Sequence, residues 1–215
     1  MLEIISKSFK TTKGWLEGSL SLSLGKEIGD FQLEQLASYL ELLQLWSKKV
    51  DLVAPASDEQ QVERHLVDCY AAYLLIREKI GKIKTCLDVG SGAGLPGIVF
   101  AVLEPSSAFS LCEPREKRQV FLRETVLRLK LRNIEIQGVR LEEVSKENKY
   151  RLITSRALGF EEGFDKYANP LLANNGKICQ MLGPSWKGDG RKQTLSILNY
   201  LLYRDGPERK LVFWD

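Results

Sequence analysis

The segment LDVGSGAGLPG, from Leu87 to Gly97, constrains the fold of this chain more than any other stretch. An apolar, β-prone run (Thr85 to Val89) enters a cluster of glycines, and an apolar helical stretch leaves it. A strand feeding a glycine-rich turn into a helix is the opening unit of a doubly wound α/β sheet. Gly90, Gly92 and Gly94 remove the side chains that would hold a ligand away from the backbone. The start of the following helix offers free N–H groups to polar or anionic ligand atoms.

Downstream, short apolar runs alternate with helical stretches, the pattern of a parallel sheet covered on both faces. Strands are expected near 84–89, 108–112, 134–137, 151–154 and 176–182. Helices are expected near 95–103, 115–131, 161–173 and 190–199. The chain then changes character. Tyr200 to Arg204 and Lys210 to Trp214 are β-prone runs flanking Asp205-Gly206-Pro207, so they read as an antiparallel hairpin. Residues 83–215 are thus expected to form a Rossmann-like sheet ending in that hairpin.

Residues 1–82 read as an N-terminal helical extension packed on the sheet. Asp30 is the expected N-cap of a first helix with Leu33, Leu36, Leu40, Leu43 and Val50 at helical spacing. A second helix opens with the capping-box pattern Ser57-Asp58-Glu59-Gln60 and carries the stripe Val62, Leu66, Cys69, Tyr73, Ile76, Ile80 before Gly81. Residues 1–29, rich in Ser, Gly and Lys, give no firm element.

Composition excludes several function classes. The four cysteines lie in separate apolar runs without a C-x-x-C pair, and the chain has one histidine, so no metal site is expected. The longest apolar stretch, Gly97 to Leu103, is about a third of a membrane span. No cleavable apolar leader is evident in the first residues, so a cytoplasmic protein is expected. A net charge of +3 permits a nucleic-acid partner without demanding one.

Gly92, Gly94 and Gly97 satisfy G-x-G-x-x-G, which on its own also suits a dinucleotide. Three features favour S-adenosylmethionine instead. The acidic Asp88 precedes the glycines, giving D-x-G-x-G-x-G. Pro96 stands where a pyrophosphate-binding helix would present free amides. The terminal hairpin suits the methyltransferase variant of the doubly wound fold. Asp88 is expected either to order the loop or to face the cationic amino-acid part of the cofactor. Glu113, at the end of the second strand, is placed to accept hydrogen bonds from ribose hydroxyls. Leu141 and Glu142, after the third strand, lie where such folds contact adenine.

The chain resembles the ribosomal RNA small subunit methyltransferase G family, also called glucose-inhibited division protein B. The matching pieces are LWSKKVDL (45–52), ERHLVDC (63–69), LDVGSGAGLPGI (87–98), EPREKRQVFL (113–122), RLEEV (140–144), SRA (155–157) and ERKLV (208–212). The resemblance implies N7-methylation of one guanine in the decoding-region loop of 16S ribosomal RNA. It implies S-adenosylmethionine as donor and cofactor contacts at Gly90, Leu95, Leu141, Glu142 and Arg156. The chain departs from the family pattern at Asp51-Leu52-Val53, at Cys69, and at Leu182-Gly183, where a Lys-Gly pair is usual.

Methyl transfer from a sulfonium is an in-line displacement governed by positioning. Guanine N7 carries a free lone pair and needs no general base. Ser155-Arg156-Ala157 ends the fourth strand, where enzymes that methylate exocyclic amines usually carry a Pro-Pro-aromatic tetrapeptide. Arg156 is the candidate catalytic residue at that mouth. Arg118, Arg123 and Arg140 are the candidate RNA-binding cations. His65 and Asp68, three apart on one helix, read more readily as a structural tether than as a catalytic pair. The expected partner is 16S ribosomal RNA or the small ribosomal subunit, with the protein a monomer. The competing readings are another RNA or small-molecule acceptor and a catalytically silent RNA-binding module. A nicotinamide oxidoreductase ranks last.

Overall fold

The computed structural model describes residues 28–54, 62–156, 164–186, 195–201 and 208–214. Helix α1 spans Asp30–Ser47 and α2 spans Asp68–Ile80, entered through a π-helical turn at Val62–Val67. The sheet strands follow as β1 (Thr85–Val89), β2 (Ala108–Cys112), β3 (Ile134–Gln137) and β4 (Tyr150–Arg156). Strands β5 (Leu172–Leu182), β6 (Leu195–Leu201) and β7 (Glu208–Trp214) complete it. Helices α3 (Gly97–Leu103), α4 (Glu116–Arg128) and the short α5 (Phe164–Ala168) connect them.

The seven strands form one sheet in the order β3-β2-β1-β4-β5-β7-β6. Strands β1 to β5 pair in parallel, and β7 runs antiparallel to both β5 and β6. The chain reverses its direction of winding between β1 and β4, where Asp88 lies opposite Thr154. A doubly wound sheet opens a crevice at the carboxyl ends of its strands at such a point.

Two apolar clusters cover the sheet. One gathers α1, α2, α3 and α4 around residues such as Leu36, Leu43, Tyr73, Phe100 and Phe121. The other sets Phe164, Ala168 and Leu171 against Leu87, Ile153, Ile178 and Trp214. Every residue of α3 is buried, as its unbroken apolar run requires. Leu36 and Leu43 of α1 are also buried, each stabilising the fold by roughly 1.5–3 kcal/mol. Polar bonds seat α1 as well. Gln32 donates to the Val102 carbonyl, Gln35 donates to the Leu129 carbonyl, and Trp46 meets Phe121 edge-on. The described part of the N-terminal segment therefore shares the core of the sheet.

Several expectations need correction. The N-cap of α1 is Gly29 and Asp30 is its first residue, because the Gln32 side chain reaches back to the Gly29 amide. Val50 lies beyond the helix end. The capping-box residues Ser57 to Gln60 lie outside the described residues. Among the described residues the helix expected over 161–173 covers 164–168 and gives way to a 3-10 turn at Asn169–Leu171, because Pro170 ends it and β5 begins at Leu172. The helix expected over 190–199 is replaced, from Leu195 on, by strand β6. The hairpin consequently starts earlier than Tyr200. Among the described residues no helix is long and apolar enough to cross a membrane.

Candidate active site

The glycine loop leaves β1 in a conformation that glycine makes possible. Gly90, Gly92 and Gly94 have φ of 67°, 54° and 84°, a region that disfavours any residue with a Cβ. The amides of Gly90 and Ser91 both donate to the Cys112 carbonyl at the end of β2, at 2.8 and 3.2 Å. Gly92 donates to Glu113 Oε2 at 2.9 Å, and the Arg115 amide donates to Glu113 Oε1 at 2.9 Å. Glu113 thereby ties the loop to the start of α4. Each of its oxygens keeps a second lone pair for a further donor.

Asp88 orders the same loop from within. Its Oδ2 accepts the Gly97 amide at 3.1 Å, and the residue is buried. Burial pushes its carboxyl up to about 7, against the pull of the Gly97 hydrogen bond. The first turn of α3 therefore directs its amide to a protein carboxylate, with Pro96 as its N-cap. Gly97 is required by space. A Cβ there would lie 2.4 Å from Leu111 Cδ2 and 2.7 Å from Asp88 Oδ2. Only a bare backbone lets α3 approach β1 and β2 this closely.

The other rim of the crevice is built by β2, β3 and the turn after β3. Cys112 Sγ contacts the Val139 carbonyl at 3.1 Å, and the four cysteines are free and buried. Gln119 of α4 is buried against Gly138, where a Cβ would fall 2.7 Å from its Oε1. Beyond Gly138, Arg140 opens a 3-10 turn at Leu141–Glu143, its amide donating to Glu143 Oε2 at 2.9 Å. Leu141 is half-buried and Glu142 and Arg140 are exposed.

The candidate RNA-binding arginines occupy different settings. Arg118 lies over the glycine loop. Its Nη2 donates to the Asp51 carbonyl at 2.9 Å, and its Nη1 is 3.3 Å from where a Cβ on Gly92 would stand. Arg123 is exposed and donates to Gln119 Oε1 at 3.0 Å. Arg140 is exposed beside the turn after β3.

Arg156, at the carboxyl end of β4, turns toward the N-terminal segment. Its Nη2 is 3.3 Å from Asp68 Oδ2 and donates to the Arg64 carbonyl at 2.5 Å, while both Nη atoms lie 3.5 Å from His65 Nδ1. Asp68 also accepts the Tyr200 hydroxyl at 2.6 Å and lies 3.8 Å from Arg209 Nε. A buried carboxylate thus gathers α2, β4, β6 and β7 at one point. Burial, reinforced by the Arg156 guanidinium, pushes the His65 imidazole down to about 3, so it is neutral.

S-adenosylmethionine fits these residues. Asp88 Oδ1 and Thr154 Oγ1 are register neighbours at the β1–β4 junction, both buried and without a hydrogen-bond partner among the described residues. Such groups call for a polar partner, and the cofactor carries a cationic amino group. Glu113 suits its ribose hydroxyls, and the half-buried Leu141 with Gly138 suits its adenine. Among the described residues no group of three His, Cys, Asp or Glu is placed to hold a metal ion.

Comparison with known proteins agrees with this geometry. The model of the family described as rRNA small subunit methyltransferase G (GidB) matches residues 32–198. The chain belongs to that family.

A Ribosomal RNA small subunit methyltransferase G from Clostridium botulinum (strain ATCC 19397 / Type A) is 31% identical over 175 residues, 80% of this chain and 72% of the relative. One of the same name from Dichelobacter nodosus is 38% identical over 140 residues, 65% of this chain and 63% of the relative. Among solved structures, a methyltransferase from Geobacter sulfurreducens superposes with a TM-score of 0.56 at 16% identity, covering 95% of this chain and 96% of that one. A human methyltransferase 10 domain containing protein gives 0.52 at 13% identity, covering 84% and 97%. These two likenesses show the fold, a Rossmann-like methyltransferase sheet. As a methyltransferase G family member the chain is an S-adenosylmethionine-dependent enzyme.

Sequence reading missed Tyr39, Gln119, Tyr200 and Arg209. Tyr39 stands three residues from Leu36 and four from Leu43, so a hydroxyl inside an apolar helical stripe was its available signal. Tyr200 and Arg209 carry no signal of that kind, because they reach Asp68 through the pairing of β6 with β7.

Proposed function

We propose that this methyltransferase G family member transfers the methyl group of S-adenosylmethionine to N7 of a guanine in 16S ribosomal RNA. The observation that carries the proposal is family membership, supported by a glycine loop held at Gly92 by Glu113 and at Gly97 by Asp88. The cofactor supplies an electrophilic methyl on a sulfonium. The protein's task is to hold donor and acceptor in line. Gly90, Gly92, Gly94 and Leu95 would shape the donor's backbone cradle, Glu113 would take its ribose, and Leu141 and Glu142 would flank its adenine.

Guanine N7 needs no proton removed, and the groups at the mouth suit that chemistry. His65 is neutral but faces the Arg156 guanidinium, and Asp88 has Oδ2 on the Gly97 amide and Oδ1 placed for the cofactor's amino group. Neither is arranged as a general base. Arg156, held by Asp68, would keep the acceptor end of the crevice cationic and fixed, and Arg123 and Arg140 would meet RNA phosphates from the exposed rim. The small ribosomal subunit is the proposed partner and the cytoplasm the proposed location.

The test is to incubate the protein with labelled S-adenosylmethionine and small-subunit RNA from cells lacking the modification. Label is expected at guanine N7. Absence of transfer to both naked RNA and assembled subunits would overturn the proposal. Leu182 favours a second reading, another RNA acceptor. It packs against the apolar cluster of the second face, where a lysine would be free to meet phosphate. Transfer to other RNA with none to 16S RNA would select that reading.

A further inference from the structure

Ala93 lies at the centre of the glycine loop, and its carbonyl needs a donor that the neighbouring chain does not supply. In a continuous helix it would accept the amide four residues on, which belongs to Gly97. That amide goes to Asp88 instead, and Pro96 has no N–H to offer. The donor comes from far upstream. Tyr39 of α1 donates its hydroxyl to the Ala93 carbonyl at 2.7 Å across a sequence separation of 54 residues. The side chain is fully buried, and burial pushes its phenol well above the ordinary value, so the donor proton stays in place.

A second link leaves the same segment from the other side. The Asp51 carbonyl, shortly after α1, accepts Arg118, whose guanidinium lies beside Gly92. The loop is therefore held between Tyr39 at Ala93 and the Asp51–Arg118 link at Gly92. Both holds originate in residues outside the strand–loop–helix unit that carries the motif.

We infer that Tyr39 is a positioning residue for the cofactor, and that α1 is through it a part of the cofactor site. The hydroxyl holds the Ala93 peptide, and so the neighbouring Gly92 and Gly94, in the positive-φ geometry that accepts S-adenosylmethionine. Without it, a buried carbonyl loses its donor, the loop relaxes to find one, and binding must restore the original shape. Linkage makes the effect reciprocal. Cofactor that tightens the loop also tightens α1. The inference rests on S-adenosylmethionine as ligand and not on the identity of the RNA acceptor.

Tyr39→Phe keeps the ring and removes the donor. Calorimetric titration with S-adenosylmethionine, without RNA, is expected to give a Kd raised about tenfold. Amide hydrogen exchange in the peptide covering residues 90–97 is expected to quicken in the same variant. Gln35→Ala is the control, because it loosens α1 at the Leu129 carbonyl, away from the loop. It is expected to lower the melting temperature and leave Kd unchanged. A Tyr39→Phe Kd within twofold of the parent would overturn the inference, whatever its melting temperature. If that variant fails to fold, exchange in the parent decides: cofactor must slow the amides of α1, and no slowing overturns the inference. Failure to methylate 16S RNA bears on the acceptor alone.

Discussion

The two ends of the crevice are built from different materials. At β1, β2 and α3 the site consists of backbone amides set against two carboxylates: Asp88 takes Gly97, and Glu113 takes Gly92 and Arg115. At β4, β6 and β7 it consists of side chains set against side chains, with Asp68 among Arg156, Tyr200 and Arg209. The first arrangement is local in sequence, and glycine spacing together with a strand-end acid describes it. The second is assembled from segments far apart in the chain, up to the strands beyond Leu195, and leaves no compact motif. On the proposed function, binding of a common cofactor would fall to the first, and the shape offered to an acceptor to the second.

The largest effect expected from this contrast falls on the second end. Removing one member of a buried ion pair leaves an uncompensated charge, so Asp68→Ala is expected to destabilise the fold by about 4 kcal/mol in urea unfolding. A cost below about 1 kcal/mol would show that the acceptor end is not held by charge. Next comes Gly97→Ala, which drives a Cβ into Leu111 and Asp88 and is expected to cost about 3 kcal/mol. That variant should lose cofactor binding in the same titration, whereas Asp68→Asn should retain it. Glu113→Gln leaves one acceptor oxygen for two amides, and it is expected to raise the Kd for S-adenosylmethionine about tenfold and to cost about 1 kcal/mol of stability.

The smallest effect is a cancellation between the two ends. Asp88 has its carboxyl raised to about 7, so its contribution is full in acid and is lost as pH rises from about 4 to 7. His65 has its imidazole lowered to about 3, so its contribution is full above about 6.5 and is lost as pH falls. Between about pH 4 and 6.5 the two slopes oppose, and the stability of the parent is expected to vary little on their account. Asp88→Asn should leave stability rising with pH, and His65→Gln should leave it falling, each by about 1.4 kcal/mol per pH unit. Urea unfolding across that window measures both. Parallel profiles for the two variants would refute the opposition.

Much of the cofactor end was legible because each of its requirements is local. A positive φ demands glycine, a close helix demands Gly97, and a carboxylate at a strand end can reach amides a few residues away. The end at β4 was legible at Arg156, His65 and Asp68 and dark at Tyr200 and Arg209. Reading 190–199 as helical, and starting the hairpin only at Tyr200, shows why. Leu195, Leu198 and Leu201 recur every three residues and imitate a helix, but β7 offers seven paired positions that the segment takes as a strand. Starting that strand at Tyr200 instead of Leu195 hides the pairing of Tyr200 with Arg209, and with it the clustering around Asp68.

The glycine loop and the parallel sheet follow from spacing within a few dozen residues, and the family from motifs spread in order along the chain, so all are written in the sequence by itself. Tertiary structure decided what surrounds them. It joined α1 to the glycine loop through Tyr39, turned Arg118 over Gly92, and directed Arg156 to Asp68. Each is a hydrogen bond or ion pair between residues far apart in the chain. Such a contact exists only once the packed apolar faces bring its two ends together, and no local pattern records it.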